Sequence, residues 1–208
     1  YKKPVAFAAD QHLSVRSDID IIAIGASTGG TEAIAEVIRD FSTDIPGTVI
    51  VQHMPPGFTE MYANRLDSQS RVKVKEAKNG DMVAPGQVLI APGGSEHMSI
   101  VKVGDNYKVV LKKGEKVNGH CPSVDVLFNS VADAAGAHAI GIILTGMGGD
   151  GAKGLLKMQK NGARTIGQDE ASCIVYGMPK VAYDLGAVMY QEKLSDIAKK
   201  TYTLLNQR

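Results

Sequence analysis

A serine, a histidine and an aspartate each follow an apolar run that predicts a β-strand. The three runs are Ile21–Ile24, Thr48–Val51 and Ala139–Leu144. Ser27 stands in Gly25-Ala26-Ser27-Thr28-Gly29, a G-x-S-x-G spacing typical of a sharp strand-to-helix turn that exposes the hydroxyl. His53 and Asp150 follow the other two runs. In nucleophilic acyl transfer a serine attacks, an imidazole takes its proton and a carboxylate orients the imidazole, so these residues are candidates for that chemistry.

Each of these residues also has a purely structural interpretation. Ser27 or Thr28 can cap the helix that follows, and Asp150 stands where an N-cap aspartate belongs, directly before a predicted helix. Asp169, which follows a later predicted strand, competes with Asp150 for the role of the acid. Spacing alone leaves these alternatives open.

The choice of the base is open as well. A histidine at the end of a strand is often a hydrogen-bonded structural residue, and on sequence grounds His97 or His120 can replace His53. His138 falls at the opposite edge of the predicted sheet, and His12 lies in the N-terminal region. The order serine, histidine, aspartate along the chain also differs from the serine, acid, histidine order of the α/β-hydrolases.

Strands and helices must alternate to position these residues. From Asp18 onward, apolar strand-like runs are followed by apolar residues at helical spacing. One such stripe comprises Phe58, Met61, Tyr62 and Leu66. Later helices are predicted between Ser123 and Gly136, over Gly151–Lys160 and over Leu194–Leu205.

The middle of the chain breaks this alternation. The strand-like runs Ser99–Val103 and Tyr107–Leu111 flank a Gly-Asp-Asn turn, which predicts an antiparallel hairpin. The whole pattern predicts an α/β fold: a doubly wound, mostly parallel sheet flanked by helices, with an antiparallel β-hairpin insertion.

Composition narrows the class of protein. The 208 residues are 44% hydrophobic and carry a formal net charge of +1, which favours a globular protein and gives no support for a nucleic-acid partner. No apolar run approaches the length that spans a bilayer, so membrane insertion is not expected. Cys121 and Cys173 match neither a metal-binding spacing nor a disulfide framework, which favours a cytoplasmic location. Residues 1–19 have no clear period and are expected to form a tail or linker.

Two glycine-rich loops support a competing interpretation. Gly25–Gly30 and Gly146–Gly151 can cradle phosphates at helix N-termini, as in a nucleotide- or phosphate-binding α/β module. Neither loop has the lysine of the Walker pattern, and the second strand ends in Gln52-His53 instead of an acidic ribose ligand. Hydrolysis is therefore favoured, and the same backbone amides can stabilise an oxyanion.

The segments around the candidate residues form a specific set. They are Ile24–Thr31, Val51–Thr59, Pro122–Phe128, Leu144–Gly151, Gly167–Ser172 and Val175–Pro179. Together they resemble the catalytic domain of the chemotaxis methylesterase family CheB. The resemblance implies Ser27 as nucleophile, His53 as base and Asp150, instead of Asp169, as acid. It further implies supporting or oxyanion roles for Thr28 and Met147, and a reaction that needs no metal and no organic cofactor.

The same resemblance implies a function. Members of the family remove methyl groups from γ-glutamyl methyl esters on the cytoplasmic helices of methyl-accepting chemotaxis receptors, release methanol, and in many cases deamidate receptor glutamines. It implies that residues 20–208 are the catalytic domain. Because family members usually carry an N-terminal phosphoacceptor receiver domain, it also implies that residues 1–19 are the remnant of a linker to such a domain; a naturally free-standing homologue is the alternative. One departure is Gly119-His120-Cys121-Pro122, where a basic residue is expected just before the Pro-Ser-Val-Asp segment.

Overall fold

The computed structural model describes residues 17–207. Over this range the strands are β1 Ile21–Ala26, β2 Gly47–Gln52, β3 Lys73–Glu76, β4 Met82–Val83, β5 Gln87–Ile90, β6 Glu96–Val103, β7 Asn106–Lys113, β8 Ala139–Ile143, β9 Arg164–Gln168 and β10 Tyr190–Glu192. The helices are α1 Gly30–Arg39, α2 Phe58–Gln69, α3 Val124–Ala135, α4 Ala152–Lys160, α5 Met178–Asp184 and α6 Leu194–Leu205. The predicted tail falls mostly outside the described residues, as does His12, although Ile19 is buried in the core.

Seven strands form one parallel sheet in the order β10-β9-β8-β1-β2-β5-β3. From β1 the chain first builds outward on the β2 side and later on the β8 side, so the strand order reverses at β1. In such sheets, ligands bind outside the carboxyl ends of the strands where the order reverses. Ser27 follows the strand at this point.

Helices cover both faces of the parallel sheet. On one face, apolar residues of α1, α2 and α6 join a core that includes Ile24, Ile50 and Ile142. On the other face, α3, α4 and α5 pack over a second core that includes Val49 and Ile143. Both faces of the central strands are buried, which is why these strands read as continuous apolar runs instead of alternating ones. The doubly wound prediction is confirmed.

The predicted hairpin insertion is confirmed and is extended by one strand. β6 and β7 pair antiparallel through a turn at Gly104 and Asp105, and the short β4 adds to the other edge of β7. This small sheet packs on α3, where the Ile100 N–H donates to Ser130 Oγ at 2.9 Å. The insertion therefore supports the helix whose N-terminus reaches the candidate site.

The predicted apolar stripe of α2 is partly wrong. Tyr62 and Leu66 are buried, but Phe58 and Met61 are 57% and 68% exposed. The buried stripe instead contains Thr59, Tyr62, Ala63 and Leu66. These residues are spaced i, i+3, i+4 and i+7 from Thr59, so they share one helical face that excludes Met61.

We predict that the two phenylalanines of α2 and α3 differ sharply in their effect on stability. Phe128→Ala removes a fully buried ring from the core beneath α3 and is expected to lower the free energy of unfolding by about 3–5 kcal/mol. Phe58→Ala removes an exposed ring and is expected to change it by about 0.5 kcal/mol or less. Urea unfolding followed by circular dichroism measures both, and equal losses would contradict the assigned burial.

Candidate active site

Three strand ends converge at one edge of the parallel sheet. β1 pairs with β2 on one side and with β8 on the other, so the segments that follow them are neighbours. The His53 N–H donates to Ala26 O at 3.2 Å, and the Ser27 N–H donates to Thr145 O at 3.0 Å. The structure therefore brings Ser27, His53 and the loop that carries Asp150 together, as the sequence predicts.

His53 contacts Asp150 through one nitrogen only. His53 Nε2 lies 2.7 Å from Asp150 Oδ2, and the two side chains are 7% and 1% exposed. Because an ionised carboxylate can only accept, Nε2 carries the hydrogen in this pair. Nδ1 is buried and has no hydrogen-bond partner among residues 17–207, so its lone pair can accept a proton. In the chymotrypsin-type triad the nitrogens are used the other way round, with Nδ1 on the aspartate.

The Asp150 carboxylate is held by donors from three other directions. Ser123 Oγ and Asn118 Nδ2 donate to Oδ1 at 2.8 and 2.9 Å. The N–H groups of Val124 and Asp125, in the first turn of α3, donate at 2.8 and 3.0 Å. Burial by itself would raise the pKa of Asp150, but the hydrogen bonds from His53, Asn118 and the α3 N-terminus outweigh it and hold that pKa well below its usual range.

The N-cap interpretation of Asp150 is wrong for its own helix. α4 has Gly151 as N-cap residue, with a left-handed φ of 95° and no side-chain cap hydrogen bond. Asp150 instead caps α3 across space, where its charge complements the positive end of that helix dipole. The Asp150 carboxylate therefore has two roles: it caps α3 and it orients His53.

Ser27 lies in the predicted turn and does not cap α1. Gly29 is the N-cap residue of α1, with φ of 80°, and no side chain caps that helix, so the capping interpretations of Ser27 and Thr28 are wrong. The buried Gln52 donates from Nε2 to Ser27 O at 2.9 Å and to His53 O at 3.2 Å. Gln52 thus ties the two strand ends together, a role that sequence reasoning missed.

Two further polar residues support the turn from the β8 and β9 side. Thr145 Oγ1 donates to Thr28 O at 2.9 Å, and the Thr145 N–H donates to Gln168 Oε1 at 2.8 Å. Asp169 accepts hydrogen bonds from Ser172 and closes its own turn. It makes no contact with His53 among the described residues, so it is not placed as the acid.

The other described histidines differ in the contacts that their rings make. His97 uses both ring nitrogens, with Glu115 O at 2.7 Å and the Ser123 N–H at 3.1 Å, so it is a satisfied structural residue. His138 contacts Asp18 O at the opposite end of the sheet. His120, however, stacks on His53 with ring centroids 3.6 Å apart and planes inclined by 7°. Sequence reasoning named His120 only as a substitute for His53.

A cleft of about 350 Å³ opens beside the two stacked histidines. Cys121 lines it at the position where a basic residue was expected, and Lys116 supplies a cation from a neighbouring position in the same lining. Burial and the nearby Glu96 raise the pKa of the Cys121 thiol, which disfavours the thiolate. Within residues 17–207, no three His, Cys, Asp or Glu side chains are placed to hold one metal ion.

The glycine-rich loops are occupied by the protein itself. A Cβ on Gly146 would lie 2.3 Å from Met178 Sδ and 2.8 Å from Ser27 Cβ, and a Cβ on Gly30 would lie 2.1 Å from Gln52 Oε1. These glycines therefore allow close packing around Ser27, which disfavours the phosphate-binding interpretation. The backbone N–H groups of Thr28 and Met147 donate to no other group in the described part of the chain.

Known proteins are similar to this chain in sequence and in the arrangement of their strands and helices. The chain matches the CheB methylesterase family over residues 22–201. The crystal structure of the Thermotoga maritima CheB methylesterase catalytic domain matches it with a TM-score of 0.86 and 38% identity, over 89% of this chain and 98% of that one. The chain belongs to the CheB methylesterase family.

Longer relatives of this CheB-family chain are named for two activities. Protein-glutamate methylesterase/protein-glutamine glutaminase 2 of Syntrophomonas wolfei is 65% identical over 187 residues, which are 90% of this chain and 54% of that protein. The protein-glutamate methylesterase/protein-glutamine glutaminase of Sulfurimonas denitrificans is 60% identical over 90% of this chain and 53% of that protein. The chain thus spans about half the length of these curated relatives.

We predict that the Asp150 carboxylate stabilises the CheB-family fold in a pH-dependent way. Its folded-state pKa is depressed, so its contribution is complete above about pH 4, the unfolded value, and is lost as the pH falls below it. Asp150→Asn keeps the shape but turns a donor toward other donors, and should cost about 2–4 kcal/mol at pH 7. Urea unfolding at pH 7 and pH 3 should show this difference narrowing.

The matched control is Asp133→Asn, an exposed aspartate on α3 that pairs with Lys157. Its effect should stay below about 1 kcal/mol because exposed ion pairs contribute little. A difference for Asp150→Asn that is the same at both pH values would contradict the assigned hydrogen bonds.

We predict that Gly146→Ala lowers the reactivity of the Ser27 hydroxyl. The new methyl group would overlap Met178 and the Ser27 backbone, and a displacement of about 1 Å costs on the order of 100-fold in rate. The measurement is the rate at which phenylmethylsulfonyl fluoride labels Ser27. Gly149→Ala in the same loop is the control, because the nearest atom to its Cβ would belong to the exposed Val181 side chain, at 3.3 Å. Equal rates for the two variants would argue against tight packing at Gly146.

Proposed function

We propose that this chain is a serine hydrolase of chemotaxis adaptation that demethylates γ-glutamyl methyl esters on the cytoplasmic helices of chemoreceptors and releases methanol. One observation carries the proposal: the buried His53 binds Asp150 through Nε2 and keeps Nδ1 free at the strand edge that bears Ser27. Family membership supports the substrate class. The proposed catalytic residues are Ser27 as nucleophile, His53 as base and Asp150 as the orienting acid.

In the first half of the reaction, Ser27 Oγ attacks the ester carbonyl carbon while His53 Nδ1 accepts the hydroxyl proton. The N–H groups of Thr28 and Met147 are proposed to stabilise the resulting oxyanion. The imidazolium keeps its Nε2 hydrogen on Asp150 and gives the Nδ1 proton to the departing methoxide oxygen. Methanol leaves, and the glutamyl group remains as an ester of Ser27.

In the second half, water replaces methanol. His53 Nδ1 takes a proton from water, the hydroxide oxygen attacks the acyl carbon, and the proton returns to Ser27 Oγ. The product is a receptor glutamate and free enzyme. A glutamine side chain follows the same path with ammonia as leaving group, so deamidation is proposed as a second activity of the same residues.

The proposed partners follow from this substrate class. They are the cytoplasmic helices of methyl-accepting chemotaxis receptors and, if this chain is part of a longer protein, a phosphoacceptor receiver domain that links the activity to a phosphorelay. A cytoplasmic location is proposed with them. Among the described helices, none combines the length and the apolar character required to cross a bilayer.

We predict that Ser27→Ala abolishes methanol release from methylated chemoreceptor. Loss of the nucleophile should lower the rate by at least about 10⁴-fold, because no acyl-enzyme can form. Methanol release is measured with receptor carrying labelled methyl groups, and deamidation by the mass of receptor peptides. Both reactions should be lost together.

Ser68→Ala is the matched control. It removes an exposed hydroxyl on α2 that donates to the Arg65 carbonyl, and it should keep wild-type rates. Methanol release that persists in a folded Ser27→Ala variant would overturn the esterase mechanism. Loss of demethylation alone, with deamidation intact, would show that the two reactions use different groups.

A further inference from the structure

The stack of His120 on His53 has no role in the mechanism above. The rings are 3.6 Å apart and inclined by 7°, so one face of the proposed base is covered by a second imidazole. Among the described residues, the His53 ring makes one other side-chain contact that holds it, the hydrogen bond from Nε2 to Asp150, and Nδ1 has no partner there. A ring fixed by one hydrogen bond can swing about it, whereas a flat neighbour restricts that motion.

A short turn presents His120 to His53. The N–H groups of Val117 and His120 each donate to the other residue's carbonyl, at 2.9 and 3.0 Å. Between them, Asn118 adopts a left-handed φ of 53°, which asparagine tolerates better than most residues. Its Nδ2 donates to Asp125 Oδ2 at 2.7 Å and to Asp150 Oδ1 at 2.9 Å. The 117–120 turn therefore contacts both the proposed acid and the proposed base.

We propose that His120 is a positioning residue, whose flat ring holds the His53 imidazole with Nδ1 directed to the Ser27 side of the site. This inference rests on the proposed function. The requirement is for a flat ring in face contact, and not for a nitrogen, because no hydrogen bond joins the His120 side chain to another group in the described part of the chain.

The surroundings of His120 suit this role. Burial lowers the pKa of His120. The nearby His53 and Lys116 lower this pKa further, whereas Asp150 raises it. At neutral pH the ring is therefore uncharged. An uncharged ring next to His53 adds no like charge beside the imidazolium that is proposed to form when Ser27 attacks, whereas a second cation there would repel it.

The test compares two substitutions of His120 that differ in flatness. His120→Leu keeps an apolar side chain but removes the ring, and His120→Phe keeps a ring without nitrogen. Each is assayed by kcat and KM for receptor demethylation and by the rate of Ser27 labelling with phenylmethylsulfonyl fluoride, which needs no receptor docking. His138→Leu, at the opposite end of the sheet, is the control for loss of a histidine.

We expect His120→Leu to lower kcat and the labelling rate together, by about 10- to 100-fold, with KM changed less than about twofold. His120→Phe should restore both rates to within about threefold of wild type. If the leucine variant gives no native unfolding transition, His120→Gln takes its place in the comparison.

Three results would overturn the inference. Wild-type labelling of His120→Leu would show that the stack does not position His53, and a change in KM alone would make His120 a substrate contact. A phenylalanine variant as slow as the leucine variant would show that a nitrogen is needed. Failure of the proposed function is distinguishable, because His53→Ala would then label Ser27 at the wild-type rate.

Discussion

The site depends on the hydrogen bonds that hold the buried Asp150 carboxylate at the N-terminus of α3. A charge removed from water must be compensated, and here the compensation comes from α3 backbone N–H groups, Ser123, Asn118 and His53 at once. These donors come from three segments: the start of α3 with Ser123, the turn with Asn118, and the end of β2 with His53. Satisfying one carboxylate therefore fixes the β8 loop, the α3 N-terminus, the 117–120 turn and the end of β2 relative to one another.

The same constraint sets the chemistry of His53. With Nε2 committed to Asp150, only Nδ1 is left to exchange protons, and its burial without a partner keeps it available. Gln52 then ties the backbone of His53 to that of Ser27, so the proposed base and the proposed nucleophile are linked at the sheet edge. The proposed acyl transfer needs a fixed geometry and a nitrogen with an available lone pair, and these hydrogen bonds suit both requirements.

Sequence patterns predicted the elements best where burial was simple. The bounds of α6 and the β6–β7 hairpin were predicted closely, because a strong helical period and a tight turn are local properties. The short, half-polar β3 and β10 were missed because each joins the sheet at an edge, where a few exposed residues blur the apolar pattern. The burial of Phe58 and Met61 was predicted wrongly, because the spacing of apolar residues does not show which face of α2 meets the sheet.

The sequence by itself determined the alternation of the central strands and helices, the turn at Ser27 and the family, since these depend on local spacing and on segments that can be compared directly. Only the tertiary structure showed that Asp150, and not Asp169, contacts His53, that Asp150 caps α3 instead of its own helix, and that His120 stacks on His53. The physical reason is the same in each case. A carboxylate or a ring takes its role from the donors and faces that surround it, and here those come from residues distant in the chain.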